Sequence, residues 1–293
     1  MPYILLLLIS FLFLGCTQTP KPLTHKLPNN CDVYAMKQGK CIKEKRLSSA
    51  LEAYDVIFLG DHHDAKVLHK KYAQLLSQIQ KDGYRIHLAN EWFTPKDNGL
   101  LYQYTHHKID DNNFSKMVDF NKTIGYEYES FAPLYRAVRD GGGNLYGINL
   151  TTDERYNISD DNVSAMRADA LAFYYSLDTN VSAHRQLLDP FLQHCHAPKE
   201  GERKEACIER IYKVQVAWDA KMGLEVAKLA KKVLWTPKDK LVVFIGAMHV
   251  EYGLGATMRF ARHSNRSFVT LSAMQKPQTE LDHAMADFVL FYK

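Results

Sequence analysis

The 293-residue chain has little excess charge of either sign. Its 37 Lys+Arg stand against 33 Asp+Glu, a formal net charge of +4, with 13 His besides. No Lys/Arg run is present, so the electrostatic footprint of a nucleic-acid-binding protein is missing. Also missing are a Walker A sequence, a G-x-G-x-x-G at a strand–helix junction and a G-x-S-x-G nucleophile elbow. There is no C-x-x-C-H, which excludes c-type covalent haem attachment. Residues 3–14 are apolar except for Ser10, too short a run to span a bilayer comfortably. What is present is ordinary for a folded protein: 46% hydrophobic and 24% charged residues, which excludes a disordered or collagen-like chain.

The short apolar run suits the h-region of a signal peptide. It ends in Phe13-Leu14-Gly15-Cys16, which resembles a bacterial lipobox. The expectation is removal of residues 1–15, lipidation of Cys16 and a membrane-anchored protein in the cell envelope. Thr17, not aspartate, follows the cysteine, which favours the outer membrane, facing the periplasm. Residues 16–30 carry Pro20, Pro22 and Pro28 and few large apolar side chains, so they read as a tether. Four cysteines remain beyond Cys16, an even number that suggests two disulfides in an exported chain. Of three connectivities, local pairing of Cys31 with Cys41 and Cys195 with Cys207 is the simplest.

Six apolar or β-branched runs predict buried strands: 55–60, 85–90, 144–150, 241–246, 267–272 and 287–292. Helical periodicity lies between them. In 66–81 it places Val67, Leu68, Tyr72, Leu75, Leu76 and Ile79 on one stripe; 131–139 and 256–263 are shorter candidates. The alternation predicts an α/β fold with a mostly parallel sheet and helices on both faces. Residues 153–235 show only helical patterns, over 161–177, 182–195 and 202–233. They read as an insertion across the C-terminal strand edge of a single domain, 31–293.

Two strands end alike, in Gly60-Asp61-His62-His63 and in Gly246-Ala247-Met248-His249. Each glycine allows a tight turn that presents a histidine at the strand's carboxyl end, where open α/β sheets bind ligands. The strand at 85–90 delivers Glu91 to the same edge. Two imidazoles and a carboxylate can bind a metal or move protons, with Asp61 and Asp64 as further ligands or ring orienters. His62 and His69 receive no role. Gln215, Trp218, Asp219 and Met222 share one helical stripe. Its polar members are expected to bond to the sheet edge, because an unpaired buried carboxylate is costly.

The ordered set G-D-H-H-D, Glu91, Pro133-Leu134, Asn149, Gln215-x-x-x-Asp219-x-x-Met222 and G-x-x-H-V ahead of Gly253 and Gly255 resembles the ChaN family of iron-regulated, haem-binding lipoproteins. That family is similar in its core to the TIKI/TraB and erythromycin-esterase group. Asp61 stands where glutamate is more usual, Met248 where a small residue is, and Phe131 where a tyrosine is. The resemblance implies non-covalent binding of ferric haem between two subunits, in iron acquisition, with an outer-membrane haem or siderophore receptor as a possible partner. Tyrosinate suits ferric iron. The insertion supplies Tyr156, Tyr174 and Tyr175 as candidate axial ligands, with Tyr212 beside them. His184, His194 and His196 are candidate propionate donors. The competing expectation is a periplasmic metal-dependent hydrolase in which His63, His249 and Asp61 hold a divalent metal and Glu91 is the general base. A third is a structural adaptor that binds neither haem nor metal.

Overall fold

The computed structural model describes residues 24–28, 30–196, 198–282 and 284–293. The predicted leader and Cys16 lie outside the described residues. The strands are β1 (Thr24–Lys26), β2 (Val33–Ala35), β3 (Lys40–Ile42), β4 (Val56–Asp61), β5 (Arg85–Asn90), β6 (Leu145–Gly147), β7 (Asp239–Gly246), β8 (Phe268–Gln275), β9 (Glu280–Asp282) and β10 (Phe288–Tyr292). The helices are α1 (Leu47–Leu51), α2 (Lys66–Lys81), α3 (Asn98–Thr105), α4 (Asp111–Val118), α5 (Phe120–Ile124), α6 (Tyr128–Asp140), α7 (Thr152–Ser159), α8 (Ala168–Tyr175), α9 (Ser182–Leu192), α10 (Lys204–Val233) and α11 (Ala256–His263).

The main sheet runs β3-β2-β10-β8-β4-β7-β5-β6. It is parallel from β10 to β6, with β2 and β3 added antiparallel at one edge. Every residue of β4 and β7 is buried, the signature of strands covered on both faces. One face packs on α1, α2, α3 and α6 through Leu47, Leu76, Leu101 and Phe131. The other packs on α10 and α11 through Met222, Val226 and Phe260. The expected stripe of α2 forms, except that Val67 is 48% exposed, since it lies at the helix start beyond the sheet.

The connection from β6 to β7 is the insertion, α7 to α10. Its middle segment departs from the single helix expected over 161–177. Asp161 takes a left-handed conformation (φ 51°), and a short 3-10 turn, Val163–Ala165, precedes α8. Both disulfides pair locally, Cys31–Cys41 and Cys195–Cys207; the second ties the end of α9 to the first turns of α10. The stretch read as a tether is folded at its end. Thr24–Lys26 pairs antiparallel with β9, and the His25 ring lies 5.2 Å from that of Tyr34. Short pairing of this kind leaves no hydrophobic periodicity to read. The helices α3 to α5 escaped the sequence for a different reason: they are held by an aromatic cluster, with Tyr104 and Phe114 stacked at 4.3 Å.

Candidate functional site

Parallel pairing brings the polar strand ends together. β7 lies between β4 and β5, and the register sets Asp61 against Gly246 and Asn90 against Phe244. His63, Glu91 and His249 therefore meet at one edge, as the two G-x-x-H turns predicted. Glu91 is the centre. Its Oε1 accepts from the Gly246 amide (2.9 Å) and lies 3.7 Å from His63 Nδ1, while its Oε2 lies 3.9 Å from His249 Nε2. Gly246 makes room for both rings: a Cβ there would lie 3.2 Å from His63 Cε1 and 3.5 Å from His249 Cδ2.

Each histidine is oriented by an aspartate shared with a second histidine. Asp61 Oδ2 is 2.8 Å from His63 Nδ1, and its Oδ1 is 2.6 Å from Nε2 of the fully buried His69. The other ring nitrogen of His69 faces the Ser130 carbonyl at 3.0 Å. A carbonyl can only accept, so Nδ1 carries a proton, and a further proton must lie between His69 Nε2 and Asp61. On the opposite side, Asp219 Oδ1 is 2.8 Å from His249 Nδ1, and its Oδ2 is 3.0 Å from Nε2 of the fully buried His184. The result is His69–Asp61–His63, then Glu91, then His249–Asp219–His184, across the sheet edge.

The charges follow from this geometry. Burial alone would lift Asp61 and Asp219, but their paired histidines pull both carboxyls below the ordinary aspartate range. Burial would lower His249, yet the Asp219 charge and hydrogen bond, with Glu91, hold it up at about 9. His63 is raised too: burial opposes, and Asp61 and Glu91 prevail. Burial pushes Glu91 upward against the two histidines and the Gly246 amide. A raised carboxyl beside imidazoles that are raised as well is suited to proton transfer.

Of the expected metal set, one ligand atom from each of Asp61, His63 and Glu91 fits within a mutual 4.8 Å. These three could hold a cation if Asp61 released a histidine. His249 lies outside this set, its Nε2 3.9 Å from Glu91 Oε2 and its Nδ1 on Asp219. His184, expected to meet a propionate, is instead sealed beneath Asp219. Asp219 reaches the sheet edge as its helical position predicts. The pairing of His69 and His184 was missed; the available signal was a histidine at an inward position of α2 or α9. His62, also unassigned, bonds the Tyr292 hydroxyl at 2.9 Å.

Beside Glu91 opens a cavity of about 580 Å³, in which Trp92, Ile124, Leu150 and Trp218 stand among polar groups that include Asp97, Asn149 and Arg155. Lys96, Thr151 and Asp153 line both it and a second cavity of about 330 Å³ between α7 and α8. None of the candidate tyrosines lines either of these two cavities. Tyr156 is 58% exposed and Tyr175 72%, whereas Tyr174 donates its hydroxyl to Asp161. Tyr212 is buried and bonds the Val181 carbonyl. His194 and His196 are exposed beyond the end of α9, their rings 5.6 Å apart, next to the Cys195–Cys207 bridge.

A family described as haem-binding uptake, Tiki superfamily, ChaN matches residues 47–260. The chain belongs to this family. Among solved structures, the ChaN protein of Campylobacter jejuni, described with cofacial heme binding, matches with a TM-score of 0.63 at 18% identity. The match covers 89% of this chain and 96% of that one. The type III effector HopBA1 matches with a TM-score of 0.48 at 13% identity, over 85% of this chain and 92% of that one. A mutant of the erythromycin esterase EreC in its open conformation gives 0.45 at 12% identity, over 86% and 77%. No curated protein matches the chain.

Proposed function

We propose that this family member binds ferric haem non-covalently and serves haem uptake at the cell envelope. Membership of the haem-binding uptake family across residues 47–260 carries the reading. The chemistry of the cavity beside Glu91 and of the insertion supports it. Haem is a flat apolar macrocycle that needs apolar walls and an axial donor. The cavity beside Glu91 offers Trp92, Ile124, Leu150 and Trp218 as apolar surface, and the donor is an exposed tyrosine of α7 or α8, Tyr156 or Tyr175. Tyr174 is the weaker candidate because Asp161 holds its hydroxyl. Exposed tyrosines on one protomer fit a haem shared with a second copy, so the loaded form is a homodimer. In this reading Cys16 is lipidated, the protein faces the periplasm from the outer membrane, and a haem or siderophore receptor there supplies it.

Ferric haem titrated into the protein should give a saturable Soret shift. Tyr156→Phe or Tyr175→Phe should remove the phenolate signature, and sedimentation should show dimers only when haem is present. An unshifted Soret band at saturating haem sinks the reading.

A second reading rests on the convergence of Asp61, His63 and Glu91. It is a metal-dependent hydrolase of peptides or esters with Glu91 as general base. Metal-free protein after gentle purification, with no hydrolytic activity sensitive to Glu91→Gln, removes it.

A further inference from the structure

β1 is tied to the same edge of the sheet as Glu91. Thr24 pairs with Asp282 of β9, and the Leu27 amide donates to the Thr279 carbonyl at 2.9 Å. The Tyr252 hydroxyl bonds the Asp282 side chain, and the Tyr252 amide donates to the Met285 carbonyl at 2.9 Å. Tyr252 closely follows His249 in the chain, and Glu251 beside it accepts from Ser272 Oγ at 2.6 Å. That hydroxyl lies against Gly60, where a Cβ would be 3.5 Å from it. Thr24 is therefore fixed near the carboxyl edge that carries His63, Glu91 and His249. Residues 17–23 separate Thr24 from Cys16. The steps between those two Cα atoms reach about 29 Å at full extension. The opposite edge of the sheet lies deeper by the length of β7, Asp239–Gly246, or roughly 23 Å.

The carboxyl edge also displays apolar side chains. Val67, in the first turn of α2, is 48% exposed, and Met248, in the turn after β7, is 38% exposed. Trp92 and Tyr126 are half-buried, their rings 4.6 and 5.8 Å from that of His63. Charge is nearly balanced there: Lys66 pairs with Glu127 at 2.7 Å, and Lys276 and Asp64 are of opposite sign. We infer that this edge is a lipid-facing surface, on which Val67 and Met248 enter the headgroup region of the membrane that holds an acylated Cys16. The inference rests on the lipid-anchor reading and deepens it by fixing which face meets the bilayer. Chain length supplies the occupant. An anchor held within about 29 Å of Thr24 keeps this edge near lipid, and the opposite edge, with Lys231, Arg262 and Arg266, faces away. Tryptophan and tyrosine suit such an interface, because each ring is apolar at one end and hydrogen-bonds at the other. With little net charge at the edge, the contact is apolar and insensitive to salt.

The test uses the full chain, purified from membranes and reconstituted into phosphatidylcholine vesicles. Val67→Cys, Met248→Cys and, at the opposite edge, the exposed Lys231→Cys each receive a polarity-sensitive fluorophore. The four cysteines of the fold are held in disulfides and do not react with it. Phosphatidylcholine spin-labelled at the headgroup serves as the quencher. Probes at 67 and 248 should be quenched about threefold more strongly than the probe at 231, at low and at high salt alike. Equal quenching at all three sites, stronger quenching at 231, or loss of the difference at high salt overturns the inference. Protein that does not float with the vesicles, and whose mass shows no acyl chains on Cys16, removes the anchor reading and the surface with it.

Discussion

Asp219 approaches His249 Nδ1 at 2.8 Å and carries the buried His184 on its other oxygen. This pairing fixes the ring opposite Glu91 and its charge. The folded imidazole, held at about 9, stands above its unfolded value of about 6.5. The stabilisation is fully present below pH 6.5 and is lost as pH rises through 9, a span of about 3 kcal/mol. Asp219→Asn should remove that slope. Urea midpoints between pH 7 and 9.5, with the imidazole proton resonances, check it. An unchanged resonance titrating near 9 in the variant would show that Asp219 is not the cause.

Gly255 sits against the same pair. A Cβ there would fall 2.6 Å from the His249 carbonyl and 2.8 Å from Asp219 Oδ1, contacts that real side chains do not tolerate. Gly255→Ala should lower stability by about 1–3 kcal/mol and disturb the high His249 titration. Gly246→Ala, whose closest contact would be 3.2 Å from the movable His63 ring, should have the smaller effect. Thermal melts of the two variants side by side decide it. Equal losses would contradict the geometry.

His87 behaves in the opposite sense. It is 4% exposed on β5, and neither ring nitrogen has a hydrogen-bond partner. Burial, helped by the Arg85 charge, lowers it to about 4. The unfolded ring takes up its proton first as pH falls below 6.5. Stability therefore declines between pH 6.5 and 4, by up to about 3 kcal/mol. His87→Leu should flatten this decline. Denaturation at pH 7 and pH 4.5 measures the difference; identical acid losses in both proteins would exclude His87 as the source.

Much of the site's raw material was visible in the chain. The apolar runs before Gly60 and Gly246 read as fully buried strands, and the G-x-x-H turns placed His63 and His249 at their ends because glycine punctuates a strand. Asp219 was readable as a polar residue on an apolar helical face. The partners of the aspartates were not. His69 and His184 look like any other histidine on an amphipathic helix. Whether such a ring meets a carboxylate depends on which helix face crosses which strand.

The sequence by itself determined the strand runs, their alternation with helices and the local spacing of the disulfide pairs, because these depend on side-chain period and short chain separations. Only the tertiary structure decided that β7, formed after the long insertion, slots between β4 and β5. Strand order is chosen by packing among distant segments, and no local pattern records it. That order makes Glu91 the midpoint between two His–Asp–His groups.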